Sequence, residues 1–180
     1  IVIDELEAMS LEPDVWEPDV SSLRDHPGYF DTKTYDEYGY EDRRNVAAVV
    51  EGTAEGQSLG LSGHIDVVSV DENKWTYDPW EGTVEENRIY GRGSCDMKGG
   101  LAASIHAVRV LNELDIELEG DLILQSTIDE EAGGTGGVLS ALERGYQPDA
   151  TIITEPYLIP NIGIASAGVL YFRITVEGYA

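Results

Sequence analysis

Cysteine, lysine, histidine and long apolar runs are all scarce in this chain. A single cysteine, Cys95, in 180 residues excludes an internal disulfide. Beside Asp96, it is read as a buried small residue. Only Lys33, Lys74 and Lys98 supply ammonium groups, and Lys+Arg total 11 against 35 Asp+Glu, for a formal net charge of −24. A surface that negative repels nucleic acid and anionic membranes, which removes both as partners. The most apolar helix candidate, Leu101 to Leu111, carries His106 and Arg109 and is too short to cross a bilayer. No targeting or lipidation motif is visible, so a cytoplasmic protein is expected. What is present suffices for a core, since 42% of residues are hydrophobic. The acid clusters Asp4-Glu5, Asp36-Glu37, Glu41-Asp42 and Glu85-Glu86 read as solvated faces. Together with the lack of lysine they predict a halophilic protein, working where salt screens self-repulsion.

Periodicity and turn residues divide the chain into alternating elements. Ile1 to Met9 reads as the end of a helix, Val15-Trp16 as a short strand and Ser21 to Asp25 as a short helix ended by Pro27-Gly28. Residues 29–44 are polar and tyrosine-rich, and read as a surface loop. Asn45 to Val50 and Ser58 to Ser62 read as strands, with a tight connection at Gly56-Gln57 and His64 at the second strand's exit. Thr83-Val84 and Arg88 to Tyr90 flank a hairpin turn at Glu86-Asn87. Met97 to Leu114 has helical period, with Leu101, Ile105, Val108 and Leu111 on one face. Asp121 to Ile128 and Ala150 to Thr154 are further strands, separated by a glycine-opened helix that ends near Gly145. Ile162 to Ala165 and Val169 to Val176 complete the strand set. This alternation predicts an α/β fold with a mainly parallel central sheet and helices on both faces. In such folds ligands gather where strands end.

Several chemistry-bearing residues stand at those ends. His64 and Asp66 are two apart, so an extended segment puts them on one face. A metal-bound imidazole usually hydrogen-bonds an acceptor through its other nitrogen, a role that suits Asp66. Asp96 follows the glycine-rich Gly91-Arg92-Gly93 and precedes a helix, where alone it would be an N-cap. Glu130 and Glu131 follow an apolar strand and suit a division of labour, one holding a metal and one moving a proton. Glu155-Pro156 alone could be a mere turn. An imidazole and several carboxylates at strand exits fit a site for zinc-like divalent ions.

The ordered series of motifs resembles the zinc-dependent amidohydrolase and peptidase family that includes acetylornithine deacetylase, succinyl-diaminopimelate desuccinylase, aminoacylase and glutamate carboxypeptidase. The motifs are Gly63-His64-Ile65-Asp66-Val67-Val68, the Trp75 to Gly82 segment, Ile89 to Gly93 with Asp96-Met97-Lys98-Gly99-Gly100, Asp129-Glu130-Glu131 with Gly133-Gly134, and Thr154-Glu155-Pro156. The resemblance implies a zinc-aminopeptidase-like catalytic domain and two zinc ions, with cobalt or manganese as substitutes. His64, Asp96 and Glu155 would hold one ion; Asp96 would bridge to a second, held also by Glu131. Glu130 would be general base and acid toward a bridging water, and Asp66 would orient His64. The resemblance also implies a cis Asp96-Met97 peptide bond.

That family carries another histidine ligand beyond an inserted lid domain that mediates dimerisation. His26, His64 and His106 are the histidines here. His26 precedes the first motif, and His106 reads as a helix residue outside the site. Residues 1–180 are therefore expected to be the N-terminal portion of the catalytic domain, without the lid and later segment, and inactive alone. The expected activity of the intact protein is hydrolysis of the amide bond of an N-acyl amino acid, with homodimerisation through the lid. A metallo-carboxypeptidase or dipeptidase is the alternative, and a non-catalytic ligand-binding relative is disfavoured by Glu130 and Glu131 together.

Overall fold

The computed structural model describes residues 1–157, 161–165 and 174–178. Five strands form one sheet: β1 (Asp14–Trp16), β2 (Asn45–Val50), β3 (Leu59–His64), β6 (Leu122–Thr127) and β7 (Ala150–Ile153), in the order β1-β2-β6-β3-β7. β4 (Thr83–Glu85) and β5 (Arg88–Tyr90) form a separate hairpin. Its turn residues Glu86 and Asn87 both have positive φ, at 48° and 61°, as a tight hairpin turn of the primed type requires.

The α/β class is as expected, but among the described residues the sheet is mixed. β3 runs parallel to β6 and β7, while β2 runs antiparallel to β6 and β1. The reason lies in residues 51–58. They do not close a hairpin between β2 and β3; they step over the start of β6, which lies between the two. Thr53 and Ala54 N–H groups donate to the Leu118 and Glu119 carbonyls at 2.8 and 3.0 Å along that crossing. Gly120 makes the crossing possible, since a Cβ there would overlap the Gln57 carbonyl oxygen.

Helices cover both faces. α1 (Val2–Ala8) and α4 (Gly99–Glu113) share one, where Leu6, Met9, Val46, Ala48, Leu61, Val108, Leu122 and Leu124 form the main core. On the other, α5 (Ser140–Glu143) packs Ala141 against Ala47 and Trp16. Trp16 stacks on Tyr146 and donates its indole N–H to Ser140 Oγ at 2.9 Å. The alternation of Val46 and Ala48 against Ala47 is the two-residue period of a strand buried on both sides.

Three expectations from the sequence change. Residues 29–44 are not all surface loop: α3 (Lys33–Tyr38) lies within them, capped by the Thr32 side chain, and both Thr32 and Tyr40 are buried. Cys95 is exposed rather than buried; in the irregular turn Ser94–Lys98 the buried side chain is Met97. Residues 161–165 form no strand among the described residues, and most of Val169 to Val176 lies outside them. α2 (Val20–Leu23) falls close to its expected place.

The first turn of α4 is pressed against the exit of β7. A Cβ at Gly100 would overlap the Thr154 carbonyl oxygen. Helix propensity alone would make Gly100→Ala stabilising by about 1 kcal/mol. The overlap is with backbone, which cannot swing aside, and overpacking of this kind costs about 1–3 kcal/mol or more. Gly100→Ala should therefore lower the unfolding midpoint in a denaturant melt.

Candidate metal and catalytic site

The carboxyl ends of β3, β6 and β7 lie side by side, and each delivers a candidate site residue. His64 is the last residue of β3 and pairs in register with Thr127 of β6. Asp129, Glu130 and Glu131 follow β6, and Glu155 follows β7 by two residues. Asp96 comes from the irregular turn before α4, where its own φ/ψ of −116° and 99° are extended rather than helical. The Asp96-Met97 peptide bond is cis. Met97, fully buried, anchors the turn.

His64, Asp96 and Glu155, far apart in the chain, present one ligand atom each within 4.8 Å of one another. His64 is 1% exposed. Its Nε2 lies 3.2 Å from Asp96 Oδ1, 3.5 Å from Glu155 Oε1 and 3.8 Å from Glu130 Oε2. Its Nδ1 lies 3.0 Å from the backbone oxygen of Asp66 and 3.4 Å from the Asp66 carboxylate. A carbonyl only accepts, so Nδ1 carries the proton. Neutral His64 then points its Nε2 lone pair at two carboxylates. Such an arrangement needs either a second proton or a cation between the three groups.

The electrostatics express the same conflict. Burial works first against the His64 imidazolium, but Asp66, Glu130 and Glu155 outweigh it and raise the His64 pKa. Burial also raises the Glu130 pKa; His64 opposes this, and the Glu131, Asp66 and Asp96 carboxylates add to it. Glu155 is raised first by burial, against His64, with Glu130 and Asp96 contributing. One imidazole nitrogen with two carboxylate oxygens is a donor set suited to zinc or a similar divalent ion. The residues present fit such an ion.

Asp66 does more than the sequence reading assigned to it. Its carboxylate accepts the backbone N–H of Glu130 at 3.3 Å and of Glu131 at 3.2 Å. It thereby ties the exit of β3 to the turn after β6. Glu131 is not one of the three residues whose ligand atoms converge. Glu131 lines a cleft of about 740 Å³ together with Asp66, Val67, Lys33 and Arg43. His26 and His106 lie elsewhere: the His26 ring nitrogen Nδ1 accepts from Gly28 N–H at 3.0 Å, and His106 is exposed on α4.

Sequence reasoning missed Thr32, Tyr40 and Asn45, which brace the same turn. Tyr40 and Thr32 hydroxyls reach Asp129, and the Asn45 amide bridges Ile128 and Gly136. A signal existed for Thr32. Thr32 ahead of a helix and Gly39 behind it are ordinary start and stop residues, enough to mark α3.

The chain is also similar to known proteins. Residues 60–176 match the family described as peptidase family M20/M25/M40. Over 119 residues the chain is 47% identical to N-formyl-4-amino-5-aminomethyl-2-methylpyrimidine deformylase of Halalkalibacterium halodurans, covering 64% of this chain and 28% of that protein. Over 131 residues it is 38% identical to succinyl-diaminopimelate desuccinylase of Gluconacetobacter diazotrophicus, covering 68% of this chain and 34% of that one. It thus spans about a third or less of these curated relatives. The fold is similar to that of human carnosine dipeptidase 1 (TM-score 0.62, 21% identity, 84% of this chain and 31% of that one). It is also similar to an M20 family metallo-carboxypeptidase of Sulfolobus solfataricus (TM-score 0.60, 24% identity, 84% and 30%).

Proposed function

The chain belongs to peptidase family M20/M25/M40, and from that premise we propose that the intact protein hydrolyses the amide bond of small N-acyl amino compounds with a divalent metal. The observation that carries the reading is the convergence of His64, Asp96 and Glu155 within 4.8 Å, with Glu130 Oε2 3.8 Å from the same imidazole nitrogen. His64, Asp96 and Glu155 would hold one zinc ion. Asp96 would share a second with Glu131 and with a ligand from outside residues 1–180. When bound, such ions supply Lewis-acid polarisation of an oxygen and lower the pKa of a water.

The chain's own residues do the rest. Glu130 stands beside the proposed ligands without being needed as one, and 46% of its side chain is exposed to solvent. Its raised pKa suits a group that accepts a proton from attacking water and passes it to the leaving amine. Asp66 holds the Glu130 and Glu131 amides from one side, while its backbone oxygen fixes the His64 tautomer. The neighbouring cleft leaves room for a small substrate.

The relatives named above are a deformylase and a desuccinylase. Their names favour removal of a small acyl group from nitrogen over cleavage within a peptide. The same proposal includes a cytoplasmic, halophilic enzyme that is a homodimer when intact. The test is to express the intact protein with zinc or cobalt and assay N-formyl, N-acetyl and N-succinyl amino compounds beside dipeptides. N-acyl turnover that a chelator abolishes and zinc or cobalt restores is expected; turnover of dipeptides alone would overturn the substrate assignment. In the same preparations, His64→Ala and Asp96→Asn should each weaken zinc affinity at the site they serve at least tenfold, measured as zinc content against a series of buffered free-zinc concentrations. Both remove a proposed direct ligand, a greater loss than the roughly 10–100-fold cost of removing a ligand's supporting partner.

A further inference from the structure

One buried carboxylate takes no part in the reaction just described. Asp129 is 2% exposed, and its backbone stands in the left-handed region at φ 64°. It immediately precedes Glu130. Its Oδ2 accepts the Tyr40 hydroxyl at 2.7 Å and the Gly136 N–H at 3.0 Å, and its Oδ1 accepts the Thr32 hydroxyl at 3.1 Å. Its backbone carbonyl accepts Gly134 N–H at 2.7 Å and Ala132 N–H at 3.3 Å. Tyr40 and Thr32 are themselves 5% and 1% exposed. Asn45 closes the base of the same loop: its Nδ2 donates to the Gly136 carbonyl at 2.8 Å and its Oδ1 accepts Ile128 N–H at 3.0 Å.

The loop that presents Glu130 and Glu131 is therefore held from two sides. Asp66 takes the two glutamate amides on the side that faces His64. Asp129 takes three donors on the side that faces the core. Every polar group around the Asp129 carboxylate donates, so an ionised carboxylate satisfies them and an amide would turn an N–H toward a donor. With its oxygens engaged and its surface covered, Asp129 cannot reach a substrate.

We infer that Asp129, held by Tyr40 and Thr32, is a positioning residue that sets where the Glu130 carboxylate stands relative to His64 and the reacting amide. The inference rests on the reading of Glu130 as proton carrier. A carboxylate that must meet both an attacking water and a leaving nitrogen tolerates little displacement, since errors near 1 Å can cost about 10²-fold in rate. The αL turn at Asp129 fixes the direction in which the next residue leaves the sheet. Tyr40 and Thr32, from a segment remote in sequence, fix that turn.

The experiment uses the intact zinc-loaded enzyme and whichever N-formyl, N-acetyl or N-succinyl substrate of the panel it turns over fastest. Tyr40→Phe keeps the ring and removes one donor to Asp129; kcat should fall about tenfold with KM within about twofold, and Asp129→Asn should lose about 10–100-fold. Val108→Ala, a core truncation away from the loop, should lower the melting temperature and leave kcat unchanged. If Tyr40→Phe and Asp129→Asn keep full kcat, or only raise KM, the positioning role is overturned. It is also overturned if Val108→Ala loses as much kcat as they do. Should Asp129→Asn fail to fold, Tyr40→Phe carries the test. Glu130→Gln in the same assay separates the two readings. An active Glu130→Gln overturns the proton-carrier reading; an inactive one beside a fully active Tyr40→Phe overturns positioning alone.

Discussion

Glu130→Gln in the intact enzyme should cut kcat by roughly 10²–10⁴, the usual worth of a positioned general acid–base group, while bound zinc stays at its wild-type level. The change removes the proposed proton carrier and keeps shape, hydrogen-bonding length and the backbone amide that donates to Asp66. The convergent ligand atoms belong to His64, Asp96 and Glu155, none of which is touched. Glu131→Gln, one residue on, should show the opposite pattern, with weakened binding of a second zinc ion and activity recovered as free zinc rises. Single-turnover rates and elemental analysis on both variants decide the assignment. Equal zinc loss in the two would mean that the adjacent glutamates share the metal role, and zinc loss in Glu130→Gln alone that their roles are exchanged.

The parts of this arrangement that were legible in the sequence are those set by local pattern. The apolar run Asn45 to Val50 is β2, residue for residue. His64 ends β3, and Glu130, Glu131 and Glu155 follow strands because apolar runs stop just before them. The helical face of Leu101 and Val108 is buried as its period requires. What was not legible depends on partners distant in the chain. Tyr40 sits in a polar, tyrosine-rich stretch, and its hydroxyl is satisfied in its buried place by Asp129, 89 residues away. Nothing near residue 40 records that. The mixed sheet is hidden for the same reason: an eight-residue connection between two strands looks alike whether it closes a hairpin or steps over a third strand. Asp66 shows a subtler limit. Its spacing from His64 was readable, but its hydrogen bonds to the Glu130 and Glu131 amides join segments 64 and 65 residues apart.

Unfolding midpoints of the metal-loaded intact protein should rise steeply with KCl. The chain carries a formal charge of −24, and six of its eleven lysines and arginines lie beside a carboxylate. Arg24 lies by Asp31, Lys33 by Glu37, Arg44 by Glu17 and Asp42, Lys74 by Asp71, Arg109 by Glu5, and Arg144 by Asp14. Most of these pairs are exposed, where each is worth only about 0–1 kcal/mol. They leave the acid excess unneutralised. Its repulsion is long-ranged at low salt, with a screening length near 10 Å at 0.1 M, and short-ranged at 1 M, near 3 Å. The folded chain holds these charges closer together than the unfolded one, so screening favours folding. Each kcal/mol recovered should raise the midpoint by about 2–4 °C for a cooperative unit of about 150–250 residues, and by less for a larger one. Most of the gain should arrive below about 0.5 M, where the screening length falls fastest. A gain that instead continued in proportion to salt up to several molar would point to strengthened apolar burial rather than to charge. A midpoint that stays level or falls as KCl is added would remove the case for a halophilic enzyme and leave the acid excess without a stabilising partner in solution.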